Sequence, residues 1–445
     1  MCECQTRNRS IDVKTPRNVH LSAFYKRSFA YHTVLSRMPI ILTNLIDGVV
    51  KNKAKIARGY GIDATEDLKT VIGELSEFKY EVQTNQPLKP LTSIAPDAAI
   101  YNEYIAEQAN IEGPPTHFHA IWLLTECYMY RRIAQIFENT ALLKEYDLFR
   151  ASKEESFTSS IQLIRKMAKH LTNLLAEASE PSKEEFVALL KLNLWGNKCD
   201  LSISLGKMAD NSALFDTAKL DDHVLCDHCE DIWEAVSDTA GPSNRIAIVF
   251  DNAGYEVFTD LCIADYIISR RMADNVTLYV KTIPWFISDV MLHDLNWTLQ
   301  QMKKLDDKYI KPLGEKWSDY IEDGSWKVIE SDFWTLPYNF SHMAKVDPDL
   351  YNELGGCKVV IFKGDLNYRK LFGEMNWNPS TLVETGLQGF HPSGLAILRT
   401  IKSDVVCGLP EGVAETIEEQ DPKWKEKGDW GLIQYCGRIR SINCV

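Results

Sequence analysis

The stretch Ile246-Ala247-Ile248-Val249-Phe250-Asp251-Asn252-Ala253-Gly254-Tyr255-Glu256 decides the fold class of this chain. Five consecutive apolar residues, closed abruptly by an acid and an amide, read as a short strand buried on both faces. Behind it Val257, Leu261, Ala264 and Ile268 recur at helical intervals and mark one face of a helix. The same unit returns at Val276 to Val280, Val359 to Phe362 and Leu395 to Leu398, with weaker strand signals at Trp326 to Phe333 and Leu432 to Tyr435. Such an alternation predicts an α/β domain over 241–445, a doubly wound and mainly parallel sheet flanked by helices. Glu411 to Asp429 reads as an acidic loop or short helix before the last strand.

Upstream of Gly241 the pattern changes. Segments such as Ile121 to Phe137 and Ser159 to Ala176 carry apolar residues three and four apart, with breaks at Asn110 to Thr116 and Glu180-Pro181-Ser182. Residues 21–240 are therefore expected to form an all-helical domain, preceded by a flexible segment over 1–20. The 445 residues are 45% hydrophobic and 25% charged, a globular composition. Asp plus Glu outnumber Lys plus Arg by 62 to 49, a net charge of −13 that disfavours wrapping nucleic acid. Met38 to Val50, the most apolar run, is cut by Asn44 and Asp47, so no membrane span is expected. Eleven cysteines, several inside apolar runs, suit a reducing compartment, cytoplasmic or also nuclear.

Ligands of open parallel sheets bind beyond the carboxyl ends of the strands. The four main strands end in Asp251-Asn252, in Lys281 with a loop reaching Asp289, in Lys363-Gly364-Asp365, and in Arg399-Thr400-Ile401-Lys402. Oxygen donors from Asp251, Asn252 and Asp289 could hold a hard divalent cation, and Lys363, Arg369 and Lys402 could bind a phosphate. Each acid could instead serve as a helix cap, and Glu256 suits a first helical turn whatever its function. A haloacid-dehalogenase phosphatase would carry a second Asp two positions after Asp251, where Ala253 stands. A nicotinamide enzyme or typical methyltransferase would place a glycine-rich turn there, and Gly254 is alone. Cys226-Asp227-His228-Cys229 has zinc-like spacing without a second knuckle, and is expected to be structural. His117 and His119 are expected to cap or fill, and His391 could line the pocket. Trp285, Phe286, Phe333, Trp334 and Trp377 are expected mostly in the core. Trp195-Gly196-Asn197-Lys198, with Asp200, could reach the site from the helical half.

The strings Val249 to Glu256, Lys281 to Asp289, Lys363 to Lys370 and Arg399 to Lys402, with Leu194 to Ser202 upstream, resemble the damage-control phosphatase family, in particular its eukaryotic Arg-Thr-x-Lys subgroup. The resemblance implies metal-dependent hydrolysis of sugar phosphates, fructose 1-phosphate and fructose 6-phosphate among them, with Mn²⁺, Co²⁺ or Ni²⁺, beside the Mg²⁺ that the oxygen donors also suit. It implies Asp251, Asn252 and Asp289 as metal ligands and as the catalytic set. It implies substrate contacts from Asp251, Asn252, Lys363, Asp365, Leu366, Asn367, Tyr368, Arg369 and Lys402. An alternative activity, S-adenosylmethionine-dependent methylation of protein glutamates, would use Glu256 and Asp289 for that cofactor. A non-catalytic phosphometabolite-binding protein is a third reading. The expected partner is a small phosphorylated sugar, with no nucleic acid, no membrane and a monomeric chain.

Overall fold

The structure, a computed structural model, describes residues 10–176, 180–196, 221–239 and 243–438. Strands β1 (Val224–Asp227), β2 (Arg245–Val249), β3 (Asn275–Val280), β4 (Trp326–Glu330), β5 (Val359–Lys363), β6 (Gly394–Thr400) and β7 (Gly431–Cys436) form one sheet in the order β1-β7-β6-β5-β2-β3-β4. Neighbours are parallel except β6 and β7. From β2 the chain winds outward through β3 to β4, then returns to β5 on the other side. The strand order thus reverses between β2 and β5, where helices leave on opposite faces and a crevice opens beyond the carboxyl ends.

The continuous apolar runs are explained by burial on both faces. Ala247, Val249, Val360, Phe362, Leu395 and Ile397 join one core, and Ile246, Ile248, Val359, Ile361, Ala396 and Leu398 join the other. Helices Met38–Tyr60, Ala64–Gln83, Pro96–Glu112 and Trp122–Glu138 contribute to the first core, and Arg150–Ser159, Ile161–Leu175 and Lys183–Leu194 to the second. The helical half therefore shares both cores with the sheet, and the boundary near residue 241 is a change of sequence character that these cores cross. Helix Tyr255–Ser269, read as having one apolar face, is buried on every side from Tyr255 to Ile267, because it is sandwiched between the sheet and helices from the first half.

Several expectations are revised. β1 and its following helix Cys229–Ser237 lie in the stretch read as helical; a four-residue edge strand is too short for periodicity to register. Cys226-Asp227-His228-Cys229 is the turn between these elements: Asp227 accepts the Cys229 amide at 3.0 Å and His228 Nδ1 the Tyr435 amide at 3.1 Å. The strand at Trp326 stops at Glu330 and gives way to a 3₁₀ turn, Asp332–Thr335, while Val413–Gln420 supplies the short helix before β7.

Residues 10–20 are tied down. Ile11 N donates to Phe24 O at 2.8 Å, Asn376 Nδ2 to Thr15 O at 2.6 Å, and Arg17 Nη1 to Trp377 O at 2.8 Å. Contacts to residues so distant in sequence leave no local pattern. The 32-residue helical run Phe29–Tyr60 is long and apolar enough, by length and composition, to cross a membrane. The apolar-run reading passed over it because of Asn44 and Asp47. In the fold Met38, Leu42, Val49 and Ile56 form a stripe buried in the first core.

Candidate active site

The crevice at the strand-order reversal is built first from backbone. Lys281 Nζ donates to Phe250 O at 2.8 Å, and Asn367 Nδ2 to Lys363 O at 2.7 Å and Phe250 O at 3.4 Å, so the ends of β2 and β5 are pinned together. The loop after β3 folds back along the chain after β2. Val290 N donates to Asp251 O at 2.9 Å, Ala253 N to Ser288 O at 2.8 Å, and Asn252 pairs with Asp289 in an antiparallel bridge. Residues 37 positions apart thereby become neighbours. The loop contains two successive non-glycine residues in the left-handed region, Phe286 at φ 41° and Ile287 at φ 74°. A β-branched residue there costs on the order of 1–3 kcal/mol and persists only where the surroundings impose it. Here Tyr130 stacks on Phe286 with centroids 4.6 Å apart, and Trp285 is fully buried.

At β5 the chain turns at Gly364, with φ 86°, and a Cβ there would lie 1.9 Å from Asp251 Oδ2. Glycine is required twice over, by conformation and by the close approach of the Asp251 carboxylate.

The side chains form a buried, acid-rich network. Asn252 Nδ2 donates to Asp251 Oδ2 at 2.8 Å and to Glu256 Oε2 at 2.9 Å, and Ser288 Oγ donates to Asn252 Oδ1. Lys281 Nζ stands 3.3 Å from Asp289 Oδ2, and Lys363 Nζ 3.0 Å from Asp260 Oδ1 and 3.5 Å from Glu256 Oε1. Among the described residues, Asp251, Glu256, Asp260 and Asp289 thus stand around the buried ammonium groups of Lys281 and Lys363, more buried carboxylates than buried cations. Burial first, then Glu256 and Asp289, push the Asp251 carboxyl well above its usual range. Burial also raises Asp289 to about 6, against the pull of Lys281, and Asp260 to about 6, against that of Lys363. Carboxylate and amide oxygens with an uncompensated negative field fit a hard divalent cation.

This field has a measurable consequence. A carboxyl whose folded pKa is raised binds its proton more tightly when folded, so folding stability falls as pH rises from the unfolded value near 4 through about 6 for Asp289 and Asp260. Thermal melts of the metal-free protein are expected to show Tm declining across this window. Added Mn²⁺ should restore it more at pH 7 than at pH 5. A flat profile without metal would contradict the assigned field.

The predicted substrate residues separate. Asp365 Oδ1 accepts Arg399 Nε at 2.7 Å and the Lys402 amide at 3.0 Å. Burial alone would raise this carboxyl; Arg399 and Arg369 outweigh it and hold it below its usual value. Asp365, Lys402 and Asn252 are half-buried and form the accessible rim. Leu366 and Tyr368 belong to the first core, where Tyr368 Oη donates to Cys407 O at 3.2 Å. Asn367 is the strand-end tie already described. Arg369 is enclosed: Nη1 lies 2.6 Å from Glu126 Oε2, Nε 2.9 Å from Glu374 Oε2, and the guanidinium carbon 4.0 Å above the Trp122 ring. Burial raises Glu374 to about 7 despite Arg369.

Sequence reasoning missed Glu126, Glu374, Asp260 and the role of Lys281; only the four-residue spacing of Glu256 and Asp260 could have signalled one of them. Trp285, Phe333 and Trp334 are core residues. His391 Nδ1 lies 3.7 Å from Cys436 Sγ, near the amino end of β6 and away from the crevice. Gly196 packs against the crevice helix, where a Cβ would lie 3.0 Å from Thr259 Oγ1; Asn197, Lys198 and Asp200 lie outside the described residues. Asp147, His293 and Asp294 also bring three donor atoms within 4.8 Å of one another. Lys153 already pairs with Asp147 at 2.7 Å and Asp294 at 2.5 Å. Hydrogen bonds donated to Asp147 and Asp294 raise His293 to about 9, so it is protonated at neutral pH and a poor ligand as it stands.

A doubly wound sheet with buried acids and lysines at its point of reversal defines an α/β protein with a polar crevice between β2 and β5. The chain belongs to the damage-control phosphatase ARMT1-like family, whose domain model matches residues 33–417. Damage-control phosphatase ARMT1 of Homo sapiens is 37% identical over 427 residues, covering 93% of this chain and 97% of that protein. The Xenopus laevis protein of that name is 39% identical over 431 residues, covering 93% and 98%. A solved DUF89 family protein from Pyrococcus horikoshii aligns over 92% of this chain and 98% of that chain, at 15% identity and a TM-score of 0.44.

Proposed function

We propose that the protein is a divalent-metal-dependent phosphomonoester hydrolase acting on small sugar phosphates, fructose 1-phosphate and fructose 6-phosphate among them. The observation that carries this reading is the excess of buried carboxylate at the β2–β5 crevice, beside a half-buried lysine on the rim. Family membership supports the reaction class; the sugars come from the family resemblance.

Asp251, Asn252 and Asp289 would hold the metal, with Mn²⁺, Co²⁺, Ni²⁺ and Mg²⁺ as candidates. When bound, a divalent ion polarises a phosphoryl oxygen and eases deprotonation of water. The chain's own residues do the rest. Asn252 keeps Asp251 and Glu256 apart by donating to both, so each presents a fixed oxygen. Lys402 brings charge to the accessible side, where phosphate charge must be neutralised as the bond to the sugar breaks. Lys363 adds charge from beneath. Asp365, fixed through Oδ1 by Arg399 and the Lys402 amide, leaves Oδ2 to accept from a sugar hydroxyl. Arg369 steadies this helix through Glu126 and Glu374.

Lys402→Ala should lower kcat/KM for a hexose phosphate by roughly 10²-fold, the scale of one lost charge-assisted contact in a shielded site, with metal affinity nearly unchanged. Near-native kinetics would remove Lys402 from the site. Among the described residues, no feature of the crevice favours the methyltransferase alternative. Glu256 is engaged by Asn252 and Lys363, Asp289 faces Lys281, and only Gly254 follows β2 in the place of a glycine-rich turn. A sugar-phosphate panel, with and without chelator and added metal, tests the proposal. Phosphate release that requires metal supports it; binding without turnover would favour a sensing protein, and no binding would defeat both.

A further inference from the structure

Lys363 is fully enclosed at the end of β5, and an ammonium there needs to be both paired and aimed. Two carboxylates one turn apart on helix Tyr255–Ser269, Glu256 and Asp260, face it, as residues four apart on a helix must share a side. Their duties differ. Glu256 accepts from Asn252, the residue that also holds Asp251. Asp260 makes the closer contact to Lys363, 3.0 Å against 3.5 Å. Its backing comes from outside the sheet: Asn193 Nδ2, at the end of helix Lys183–Leu194, donates to Asp260 Oδ1 at 2.5 Å and to Thr259 Oγ1 at 3.2 Å. Asn193 and Asp260 are both buried.

From this geometry we infer that Asp260, braced by Asn193, is a positioning residue that takes the closer share of Lys363, 3.0 Å against the 3.5 Å of Glu256, and so fixes the ammonium beneath the substrate phosphate. The inference rests on the phosphatase reading. Without Asp260 the ammonium keeps only Glu256 as a paired carboxylate, through Oε1; closing that 3.5 Å contact draws positive charge towards Glu256 and away from the phosphate. A purely structural Asp260 would instead only neutralise a buried lysine.

The test is a double-mutant cycle on the full, metal-loaded chain with Asp260→Asn and Lys363→Met, reading kcat, KM, the inhibition constant of inorganic phosphate, and metal affinity. Asp260→Asn alone should lower kcat/KM by about 10- to 100-fold and weaken phosphate inhibition by about 10-fold, with metal affinity held within about twofold. In the Lys363→Met background the same substitution should change each quantity by no more than about twofold, because its effect passes through the lysine. Additive effects, or a lower Tm with unchanged phosphate inhibition, would overturn the inference. So would an active wild type in which Lys363→Met leaves phosphate inhibition unaltered, with the phosphatase reading intact. A wild type that neither turns over sugar phosphates nor binds phosphate overturns both. Should Asp260→Asn not fold, Asn193→Ala replaces it, with an expected loss of about threefold in the same direction, again absent beside Lys363→Met.

Discussion

Asp251→Asn is expected to lower kcat/KM by about 10³-fold or more while raising the Tm of the metal-free protein by about 1–3 °C. The two effects have one cause. Asp251 is buried with Glu256 and Asp289 as its strongest charged neighbours, and its carboxyl is pushed well above the usual range by burial and by these acids. Its ionised form is therefore a cost to the folded state at neutral pH, removed when an amide takes its place. The same charge is what a divalent ion requires, so stabilisation and loss of turnover should arrive together. Mn²⁺ should then raise the variant's Tm less than that of the wild type. Calorimetry and steady-state kinetics on the same preparations decide the matter. A variant that is less stable and fully active would remove Asp251 from the site.

Gly364→Ala should be nearly as damaging, through shape. The glycine has φ 86°, and an added Cβ would lie 1.9 Å from Asp251 Oδ2 and 2.7 Å from Asp251 Cβ. Rotating the carboxylate cannot relieve a clash that includes its own Cβ, so either the end of β2 or the turn after β5 must shift. A loss of about 10²-fold in kcat/KM is expected, because a displacement near 1 Å at the reacting groups costs on that order. A fall in Tm of about 2–6 °C should accompany it, from the positive-φ strain and the clash together. Gly412→Ala is the control: it has φ 84° with nothing within 4 Å of the added Cβ. It should show conformational strain alone, with activity kept. Equal loss of activity in both variants would mean that Gly364 acts only through general stability.

The crevice was legible in the sequence where strand ends carry polar residues. Asp251, Asn252, Asp289, Lys363, Asp365 and Lys402 were found because an apolar run that stops at a charged residue marks both the end of a buried strand and the side on which its next side chain emerges. The same rule placed Arg369 in the phosphate-binding set, and the structure encloses it between Glu126 and Glu374. The rule cannot see a carboxylate arriving from helix Trp122–Glu138, more than two hundred residues upstream. Asn193 and Asp260 were missed for a related reason: a polar residue on a helix reads as solvent-facing until that helix is known to be buried on every side.

Sequence by itself determined the elements of the sheet other than β1, their mainly parallel pairing and the edge at which polar strand ends gather, because apolar periodicity and strand-end chemistry are local properties of neighbouring residues. It also carried the need for glycine at position 364 without explaining it. Only the tertiary structure decided which charges compensate one another: that Lys363 answers to Asp260, that Arg369 answers to Glu126 and Glu374, and that Asp251 is left with acids as its strongest neighbours. Charge balance in a buried site depends on distances of about 3–4 Å between side chains from elements far apart in the chain, where the low dielectric makes each pairing strong. The order of residues along the chain does not encode those distances.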